Sequence, residues 1–446
     1  MNKVVKTTAA VIACTGLFTA FNAQAANWLM LQGTESSSSA PRAKVWGFIQ
    51  PTYSYTEGTP LKAGPWEGQD AQFNLHAPQL DSNKGFNIRR ARIGVRGQGH
   101  PLNAKVNYFL LAEFGSNGIT WPGGGLGAAR LSDASVTINY IPGARVRAGL
   151  FKTPTAEEGL QAIHVFDYVN FTSFTDQMLL ERHLIADGSQ NGTTPDIANA
   201  PVGPVGAFRD VGVQIFDSFM VSSWDLSYAL MVGNGSGITG KNNNSSMDRY
   251  GYFSAEKVFA GKGPRRQGLK MFAWGQMGER DLVVGTDDTA SSFDRNRYGL
   301  GVTFRKSRWR ASAEYLIADG MILNGTDGGA RVGALNNAGT TRASFNMLPE
   351  DEANGYYLHF GAEVINRLEL DIRYDVLNRG TETASEERKF ETITLGAQWF
   401  FDLKNRITLN YEIRSLEAPN LPASSIPSQV VEGIDDRVTL QLTSIF

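Results

Sequence analysis

The feature that most constrains the fold is a period of two in side-chain polarity, repeated in segments of about ten residues. In residues 88–97, arginines alternate with Ala91, Ile93 and Val95. Residues 368–376 repeat the pattern, with Leu, Ile, Tyr or Val at every second position and a charged residue between them. Because successive side chains of a strand point to opposite faces, each segment predicts a strand with one apolar and one charged face.

A chain that spans a bilayer must pair its backbone polar groups internally, which leaves helices or a closed barrel. No run of 18 apolar residues predicts a transmembrane helix in the exported chain. Counting alternating segments gives about sixteen, an even number as bacterial barrels require. The weakest segments lie near residues 44–55, 250–257 and 269–277. The sequence therefore predicts an all-β fold, a transmembrane antiparallel β-barrel of about 16 strands. A soluble β-sandwich is the alternative, although its polar face would not need arginine at three alternate positions.

The connections between these segments alternate in length. The turn at residues 142–143 is a tight Pro-Gly, whereas residues 233–248, 278–294 and 319–353 are long and rich in Gly, Asn and Asp. Short periplasmic turns and long external loops are typical of outer-membrane barrels.

The beginning of the chain indicates export. Two lysines precede an apolar run over residues 8–21, and an Ala-Gln-Ala site ends at Ala25. These are the three regions of a secretory signal peptide, so we expect residues 1–25 to be removed by cleavage near Ala25. Lipoprotein processing at Cys14 is the weaker interpretation. Cys14 is the only cysteine, so the exported chain would contain no disulfide and no thiolate metal site.

The remaining chain divides into two predicted parts. Residues 26–43 are expected to form an N-terminal periplasmic segment, and residues 44–446 the barrel. The last segment alternates and ends on Phe446, which resembles the signal that outer-membrane assembly machinery reads. We therefore expect the protein to lie in the bacterial outer membrane.

Three segments resemble the phosphate-selective porin O/P family. They are residues 86–97 (FNIRRARIGVRG), residues 147–154 (RAGLFKTP) and the opening WGFIQ at residues 46–50. The resemblance implies a 16-stranded barrel assembled as a homotrimer, with the third external loop folded inward to narrow each pore. Residues 153–208, after the fifth strand, have the place and size of that constriction loop.

This candidate loop mixes charged and aromatic side chains, which suits a segment lying against a barrel wall. Its predicted functional residues are Lys152, Glu157, Glu158, Asp167, Asp176, Glu181 and Arg182. His164 and His183 have acidic neighbours, but ordinary polar contacts are a better interpretation than zinc binding. We expect no metal and no cofactor.

Basic side chains on the polar face of the strands predict how the pore selects. The expected anion path is lined by Arg90, Arg92, Arg96, Lys105, Arg145, Arg147, Arg305 and Arg310. Stacked guanidinium groups keep their charge and can pass an oxyanion from one to the next. The alternative is that these arginines pair with acidic residues. The same face carries Glu113, Asp133, Glu314, Glu369, Asp371 and Asp375.

These observations predict an outer-membrane porin for passive diffusion of small hydrophilic solutes and ions, with mild anion preference and size exclusion as the main filter. Its partners would be outer-membrane lipid, small anions and copies of itself. The formal net charge of −2 gives no indication of nucleic-acid binding. Two alternatives remain: a channel specific for phosphate or another oxyanion, which the scarcity of lysines disfavours, and a structural sheath or scaffold without transport. No strand carries a Ser–His pair with an orienting carboxylate, so we expect no enzyme.

Overall fold

The structure is a computed structural model. It describes residues 27–31, 34, 42–57, 60–70, 84–98, 105–120, 128–184, 201–239, 242, 244–261, 266–284, 289–325, 330, 334–343, 346–433 and 435–446. The predicted signal peptide and its cleavage site lie outside these residues.

Strands dominate the described residues. The strands are β1 (Lys44–Thr56), β2 (Lys84–Gln98), β3 (Val106–Glu113), β4 (Arg130–Ile141), β5 (Ala144–Lys152), β6 (Arg182–Leu184), β7 (Pro201–Val205), β8 (Arg209–Val221), β9 (Trp224–Gly233), β10 (Asp248–Ala260), β11 (Gln267–Val283), β12 (Ala290–Lys306), β13 (Trp309–Asp319), β14 (Ile322–Gly325), β15 (Asn346–Leu348), β16 (Glu352–Ile365), β17 (Leu368–Arg379), β18 (Arg388–Phe400), β19 (Asn405–Glu417) and β20 (Arg437–Ile445). The helices are α1 (Trp28–Leu31), α2 (Glu157–Leu160) and α3 (Ile426–Val431), with a π-helical turn at Thr175–Leu179 and a 3-10 turn at Gly237–Thr239.

Sixteen of the strands close into one antiparallel barrel. Their order is β1-β2-β3-β4-β5-β8-β9-β10-β11-β12-β13-β16-β17-β18-β19-β20, and β20 pairs back onto β1. The other four strands form two separate hairpins, β6–β7 and β14–β15. The predicted 16-stranded barrel is confirmed, and its three weakest segments form β1, β10 and β11.

The barrel closes where β1 meets the end of the chain. Phe48 lies opposite Ile445 in the register of β1 and β20. Beyond this pair, the backbone N–H of Phe446 donates to the carbonyl of Gly47 at 3.0 Å, and Gly47 returns the bond at 3.2 Å. A side chain at position 47 would come within 2.5 Å of the Phe446 ring, so glycine is required at this point of closure.

Apolar side chains face outward and polar ones inward, the reverse of a soluble protein. On β19, Leu409, Tyr411 and Ile413 are 43%, 39% and 42% exposed on the outer face. Between them, Asn410 and Glu412 are at most 1% exposed inside the barrel. This alternation is expected of a barrel whose outer surface contacts lipid. In the described part of the chain, no helix combines the length and the apolar character that crossing a bilayer requires.

The connections alternate in length, and one of them differs from the prediction. Two-residue turns join the strands at 142–143, 222–223, 307–308 and 366–367. Residues 278–294 were expected to be a long loop, but β11 and β12 continue to pair from Gly278 opposite Arg295 to Val283 opposite Ala290. Backbone pairing extends these strands beyond the alternating segment, because it does not require one face to be apolar.

The interior contains a packed apolar core as well as polar groups. The largest cluster of buried apolar side chains joins Phe174 and Met178 of the third external loop to Ile322 of the β13–β16 connection. Trp274 and Leu316 of the wall belong to the same cluster. Two external connections therefore fold into the barrel and narrow it together.

Candidate functional site

The third external connection, residues 153–208 (L3), lies inside the barrel over its described residues, 153–184 and 201–208. Its described part contains α2, the π-helical turn and the β6–β7 hairpin. The backbone N–H of Val169 donates to the side chain of Asn410 on β19 at 2.7 Å. On β17, Asp375 accepts from the backbone N–H of Ser173 at 2.9 Å. The predicted inward-folded constriction loop is therefore confirmed.

Two glutamates of α2 attach L3 to the wall. Glu157 forms an ion pair with Lys270 of β11 at 2.5 Å. Glu158 pairs with Arg373 of β17 at 3.0 Å, and its other carboxylate oxygen accepts from both the backbone and the hydroxyl of Thr172. All of these charged groups are buried, so each carboxylate must have its partner to be stable there.

Part of the predicted periplasmic segment, residues 26–43, lies inside the barrel instead. α1 buries Leu29, which is 2% exposed. The indole N–H of Trp28 donates to Glu157 at 3.0 Å, and the carbonyl of Leu29 accepts from Arg147 at 3.5 Å. The prediction is thus wrong for α1, whose apolar side chains are covered by the lumen wall and by L3.

The predicted arginines of β2 point into the barrel and already have partners. Arg90 donates to the amide oxygen of Gln50 at 3.1 Å. Arg92 forms an ion pair with Glu113 at 2.6 Å, with both side chains buried. Arg92 therefore matches the pairing alternative that the sequence left open, whereas the bond to Gln50 leaves the charge of Arg90 in place.

Arg96 and Arg147 lie against aromatic rings. The guanidinium carbon of Arg96 is 5.5 Å from the ring centre of Phe109, and that of Arg147 is 4.3 Å from the ring centre of Phe216. Both distances suit a cation–π interaction. Arg147 is only 1% exposed, so it is part of the wall's packing.

Arg145 and Arg310 form ion pairs. Arg145 pairs with Asp217. Arg310 reaches Glu369 at 2.5 Å and Asp371 at 2.6 Å, and all three side chains are buried. The carboxylates of Glu369 and Asp371 therefore compensate the positive charge of Arg310 locally.

The other two predicted wall residues differ in position. Arg305 of β12 lines a cavity of about 100 Å³ beside L3, together with Lys270. Lys105 precedes β3 in a turn and is exposed, with its ammonium group 5.3 Å from the ring centre of Tyr140, which is itself 50% exposed on the outer face. The prediction that Lys105 lines the pore is corrected, because the regular alternation of β3 begins only at Val106.

Lys152 and Asp167 hold different parts of L3. The ammonium group of Lys152 donates to the carbonyls of Gly159 at 2.7 Å and Leu160 at 3.4 Å. Asp167 lies 3.4 Å from the guanidinium group of Arg310. Both predicted loop residues therefore connect the loop to the wall.

Glu181, at the end of L3, sits between two arginines of the wall. Arg280 donates to it at 2.7 Å and Arg295 lies 3.1 Å away. Burial alone would raise the pKa of Glu181, but the charges of Arg280 and Arg295 outweigh burial and lower it below its usual range. The carboxylate is therefore ionised at neutral pH.

The remaining predicted loop residues are less informative. Asp176 lies in the π-helical turn and is half-buried. Arg182, on β6, is 3% exposed, and burial lowers its pKa to about 10, so it stays charged at neutral pH. Burial, with the nearby charges of Arg406 and Lys152, lowers the pKa of His164 to about 3, so its ring is neutral.

Several basic residues at the site were not predicted. Arg89 is buried beside Arg90 because the pairing of β1 and β2 shifts between Gln50 and Pro51, and it donates to Asn170 of L3 at 2.7 Å. Strict alternation would have placed Arg89 on the lipid face. The two adjacent arginines were the sequence signal for this bulge. Regular alternation would turn one of them toward lipid, where a charged side chain is costly. Other buried arginines that hold L3 or neighbouring strands are Arg209, Arg295, Arg297, Arg373, Arg379, Arg406 and Arg437, and the half-buried Arg280 pairs with Glu181.

Among the described residues, Asp167, His359 and Asp371 bring three potential metal ligands within 4.8 Å of one another. The guanidinium group of Arg310 already lies against both aspartates. A cation is thus present in the cluster as an arginine side chain, and the ring Nε2–H of His359 donates to Asp371 at 3.1 Å. The group does not fit a metal centre. His164 lies elsewhere, against aromatic rings of β1.

Comparison with known proteins agrees with this geometry. The family model described as phosphate-selective porin O and P matches residues 65–184. Salmonella typhi OmpF, solved with daunomycin, superposes with a TM-score of 0.53 at 13% identity, covering 91% of this chain and 97% of that one. An anion-selective porin from Comamonas acidovorans gives 0.50 at 13% identity, covering 91% and 99%. A loop-deletion mutant of Vibrio cholerae OmpT gives 0.50 at 10%, with the same coverage.

A search of curated sequences finds no match. At these identities the solved structures establish the fold, and the family match confirms the resemblance found in the sequence. The chain has the closed 16-strand β-barrel fold of the outer-membrane porins, and over residues 65–184 it matches the phosphate-selective porin O and P family.

Proposed function

We propose that the protein is a passive diffusion pore of the bacterial outer membrane with a mild preference for anions, and that it catalyses no reaction. The observation that carries the proposal is an uneven distribution of charge around a lumen narrowed by L3. We define a basic arc, formed by the buried and inward-facing charged residues of β2, β3, β4, β5 and β8, and an acidic arc, formed by those of β13 and β17.

The two arcs differ in composition. The basic arc comprises Arg89, Arg90, Arg92, Arg96, Glu113, Asp133, Arg145, Arg147, Lys152, Arg209, Asp210 and Asp217, and the acidic arc comprises Arg310, Glu314, Glu369, Asp371, Arg373, Asp375 and Arg379. Basic side chains are twice as numerous as acidic ones in the first arc and slightly fewer than acidic ones in the second. β4, at the centre of the basic arc, lies eight strands from β16 in the sixteen-strand order, so the arcs face each other across the lumen.

This arrangement supports a modest selectivity. Charges on a pore wall select ions by attraction, and the excess of arginine favours anions. Many of the arginines are ion-paired, so only part of their charge acts on a passing solute. Size is then the main filter, since the described parts of L3, α1 and the β13–β16 connection pack together inside the barrel. The same filling argues against a sheath, which would need an open lumen.

The test is the reversal potential of the refolded protein in planar bilayers under a KCl gradient. We expect the wild type to favour chloride, and Arg90→Gln with Arg96→Gln to lose most of that preference. Arg90 is chosen because it donates to the side-chain amide of Gln50, and Arg96 because its guanidinium group lies over the ring of Phe109. Arg92 and Arg145 are unsuitable, since their removal would leave the carboxylates of Glu113 and Asp217 without these ion-pair partners.

Arg249→Gln is the control for loss of an arginine, because it removes one such charge from an exposed position on β10. A cation preference in the wild type, or a chloride preference that survives in the double variant, would contradict the proposal. Absence of any conductance from correctly folded protein would favour the scaffold instead.

A phosphate-specific channel is the second candidate, favoured by the family that matches residues 65–184. It predicts that added phosphate blocks chloride current at concentrations where sulfate does not.

We also propose, from the resemblance alone, that the protein is a homotrimer and that export removes a signal peptide near Ala25. The mass of the detergent-solubilised complex and the N-terminal sequence of the purified protein test these two proposals.

A further inference from the structure

A cavity lies between the basic arc and L3. Its volume is about 60 Å³. Its basic lining comes from wall strands: Arg89, Arg90 and Arg92 of β2, Lys152 of β5 and Arg209 of β8. The lining thus brings three strands of the barrel together at one point beside the constriction.

The lining carries far more positive than negative charge. Glu158 is the one acidic residue among the lining residues, and its carboxylate is bonded to Arg373 and Thr172. Glu113 and Asp133 lie behind the cavity and compensate Arg92 and Arg209. Arg90 donates to an uncharged amide, so the cavity retains an excess of positive charge.

The loops supply the apolar part of the same lining. Ile119 comes from the connection between β3 and β4, and Ile163, Phe171, Leu180 and Phe208 come from L3. Phe171 packs edge-on against Phe208 with ring centres 5.2 Å apart, which fixes this apolar surface. Apolar loop residues and basic wall residues therefore bound one small space.

We propose that this cavity binds a short-chain monocarboxylate, an anion of a few heavy atoms with a carboxylate at one end and an aliphatic tail at the other. The inference deepens the proposed function and rests on it, because it assigns a solute class to the anion path. The carboxylate is bound by the arginines of β2, which can donate two parallel hydrogen bonds. The tail packs against Ile163 and Phe171, out of contact with water.

Size and polarity distinguish this ligand from others. A cavity that holds benzene has a volume of roughly 150 Å³, so the present one is too small for an aromatic acid. Inorganic phosphate would fit by size, but it needs polar partners on every side, and an apolar surface would leave some of its oxygens without hydrogen bonds. A short aliphatic carboxylate satisfies both surfaces.

The experiment measures block of the chloride current in planar bilayers by potassium formate, acetate, propionate and phosphate. We expect the apparent affinity to rise by about fourfold for each methylene group until the cavity is full, because that is the gain from burying one such group. Propionate should therefore block more strongly than formate or phosphate. Equal block by formate, propionate and phosphate would overturn the proposal, and so would no block by any of them.

Two variants in L3 sharpen the test. Ile163→Ser removes an apolar lining residue without changing charge and should reduce the ratio of propionate to formate affinity. Val165→Ser, two residues further along, makes the same kind of change next to the neighbouring cavity and should leave the ratio as it is. An unchanged ratio in Ile163→Ser would contradict the assignment of the tail.

Different results would contradict the proposed binding cavity and the proposed anion-preferring pore. A chloride preference that depends on Arg90 and Arg96, with no carboxylate block, would leave the anion-preferring pore standing and remove only the binding site. A wild-type cation preference would remove the proposed function itself.

Discussion

The two arcs of the lumen hold L3 by different means. On the basic arc, Lys152 donates to carbonyl oxygens of the loop, and Arg89 donates to the side-chain amide of Asn170. On the acidic arc, loop backbone N–H groups donate to Asp375 and Glu314, at 2.9 Å and at 3.3 to 3.4 Å. The basic arc thus binds acceptors of the loop, whereas the acidic arc binds loop donors through its carboxylates and loop carbonyls through Arg373.

This difference shows how one irregular segment can lie buried in a charged lumen. Backbone groups removed from water must find partners, and a wall with one sign of charge could satisfy only half of them. The opposed arcs satisfy both halves, and the ion pair of Glu158 with Arg373 adds a direct link. The unequal distribution of charge on the lumen wall therefore fixes the position of the loop, in addition to its effect on solutes.

The largest effect is expected from breaking the link to the acidic arc. Glu158→Ala leaves Arg373, which is 1% exposed, with Asp375 at 3.8 Å as its remaining carboxylate partner among the described residues. Removing one member of a buried pair costs about 3–5 kcal/mol, so L3 should detach at lower temperature and the open channel should become noisier. Thermal unfolding in detergent and single-channel recordings measure this.

The double variant Glu158→Leu with Arg373→Met is the control for that experiment, since replacing both charges by apolar groups is often nearly neutral. If the double variant were as unstable as the single one, the loss would come from packing and the ion pair would not explain it.

A comparable effect is expected on the basic arc. Lys152→Met removes the donor to the carbonyls of Gly159 and Leu160 and keeps an unbranched side chain. Each carbonyl left unsatisfied costs about 1–3 kcal/mol, so the two together are comparable to the loss of the buried pair. Proteolysis of L3 in the folded protein should become faster, and Lys62→Met, an exposed lysine outside the barrel strands, should change nothing.

Weakening the acidic arc should increase the asymmetry. Glu369→Gln keeps an acceptor for Arg310 but removes one negative charge, with Asp371 still paired. We expect the chloride preference to rise by about twofold, which corresponds to less than 1 kcal/mol. The reversal potential measures this change, and the exposed Glu352→Gln serves as reference. A shift toward potassium would mean that the arcs do not set selectivity.

The smallest effect concerns pH. The folded-state pKa of Glu181 is lowered, so its ionised form stabilises the folded protein above the unfolded pKa of about 4.3, and this contribution is lost as pH falls through the lower folded value. Local opening of L3, followed by hydrogen exchange near Glu181, should therefore increase in acid. Glu181→Gln should remove that part of the pH dependence. An identical acid response in the variant would assign it to other carboxylates.

Strand positions were predictable because lipid imposes a strict rule on every second residue. Even β10 and β11 followed it, although the sequence indicated their segments only weakly. The rule does not determine departures such as the bulge that turns Arg89 inward, because a shift in pairing depends on the neighbouring strand. It also stops where strands leave the bilayer, which explains the extra length of β11 and β12.

The site was predictable in part. The sequence indicates which arginines face inward, but their partners come from distant strands and from L3, so pairing such as that of Arg310 with Glu369 depends on the closed structure. The place of α1 could not be predicted either, because a short apolar stretch after a signal peptide has no periodicity that distinguishes lumen from periplasm.

The contact between Gly47 and Phe446 has a consequence for how the barrel is made. The register of β1 is completed by residues almost the whole chain length away, so closing it costs the largest loop entropy in the protein. Until that pair forms, β1 and β20 both expose unpaired backbone edges, which are incompatible with hydrocarbon. Insertion and closure must therefore be coupled, and a partly inserted sheet would need its two edges shielded by another protein until the last strand arrives.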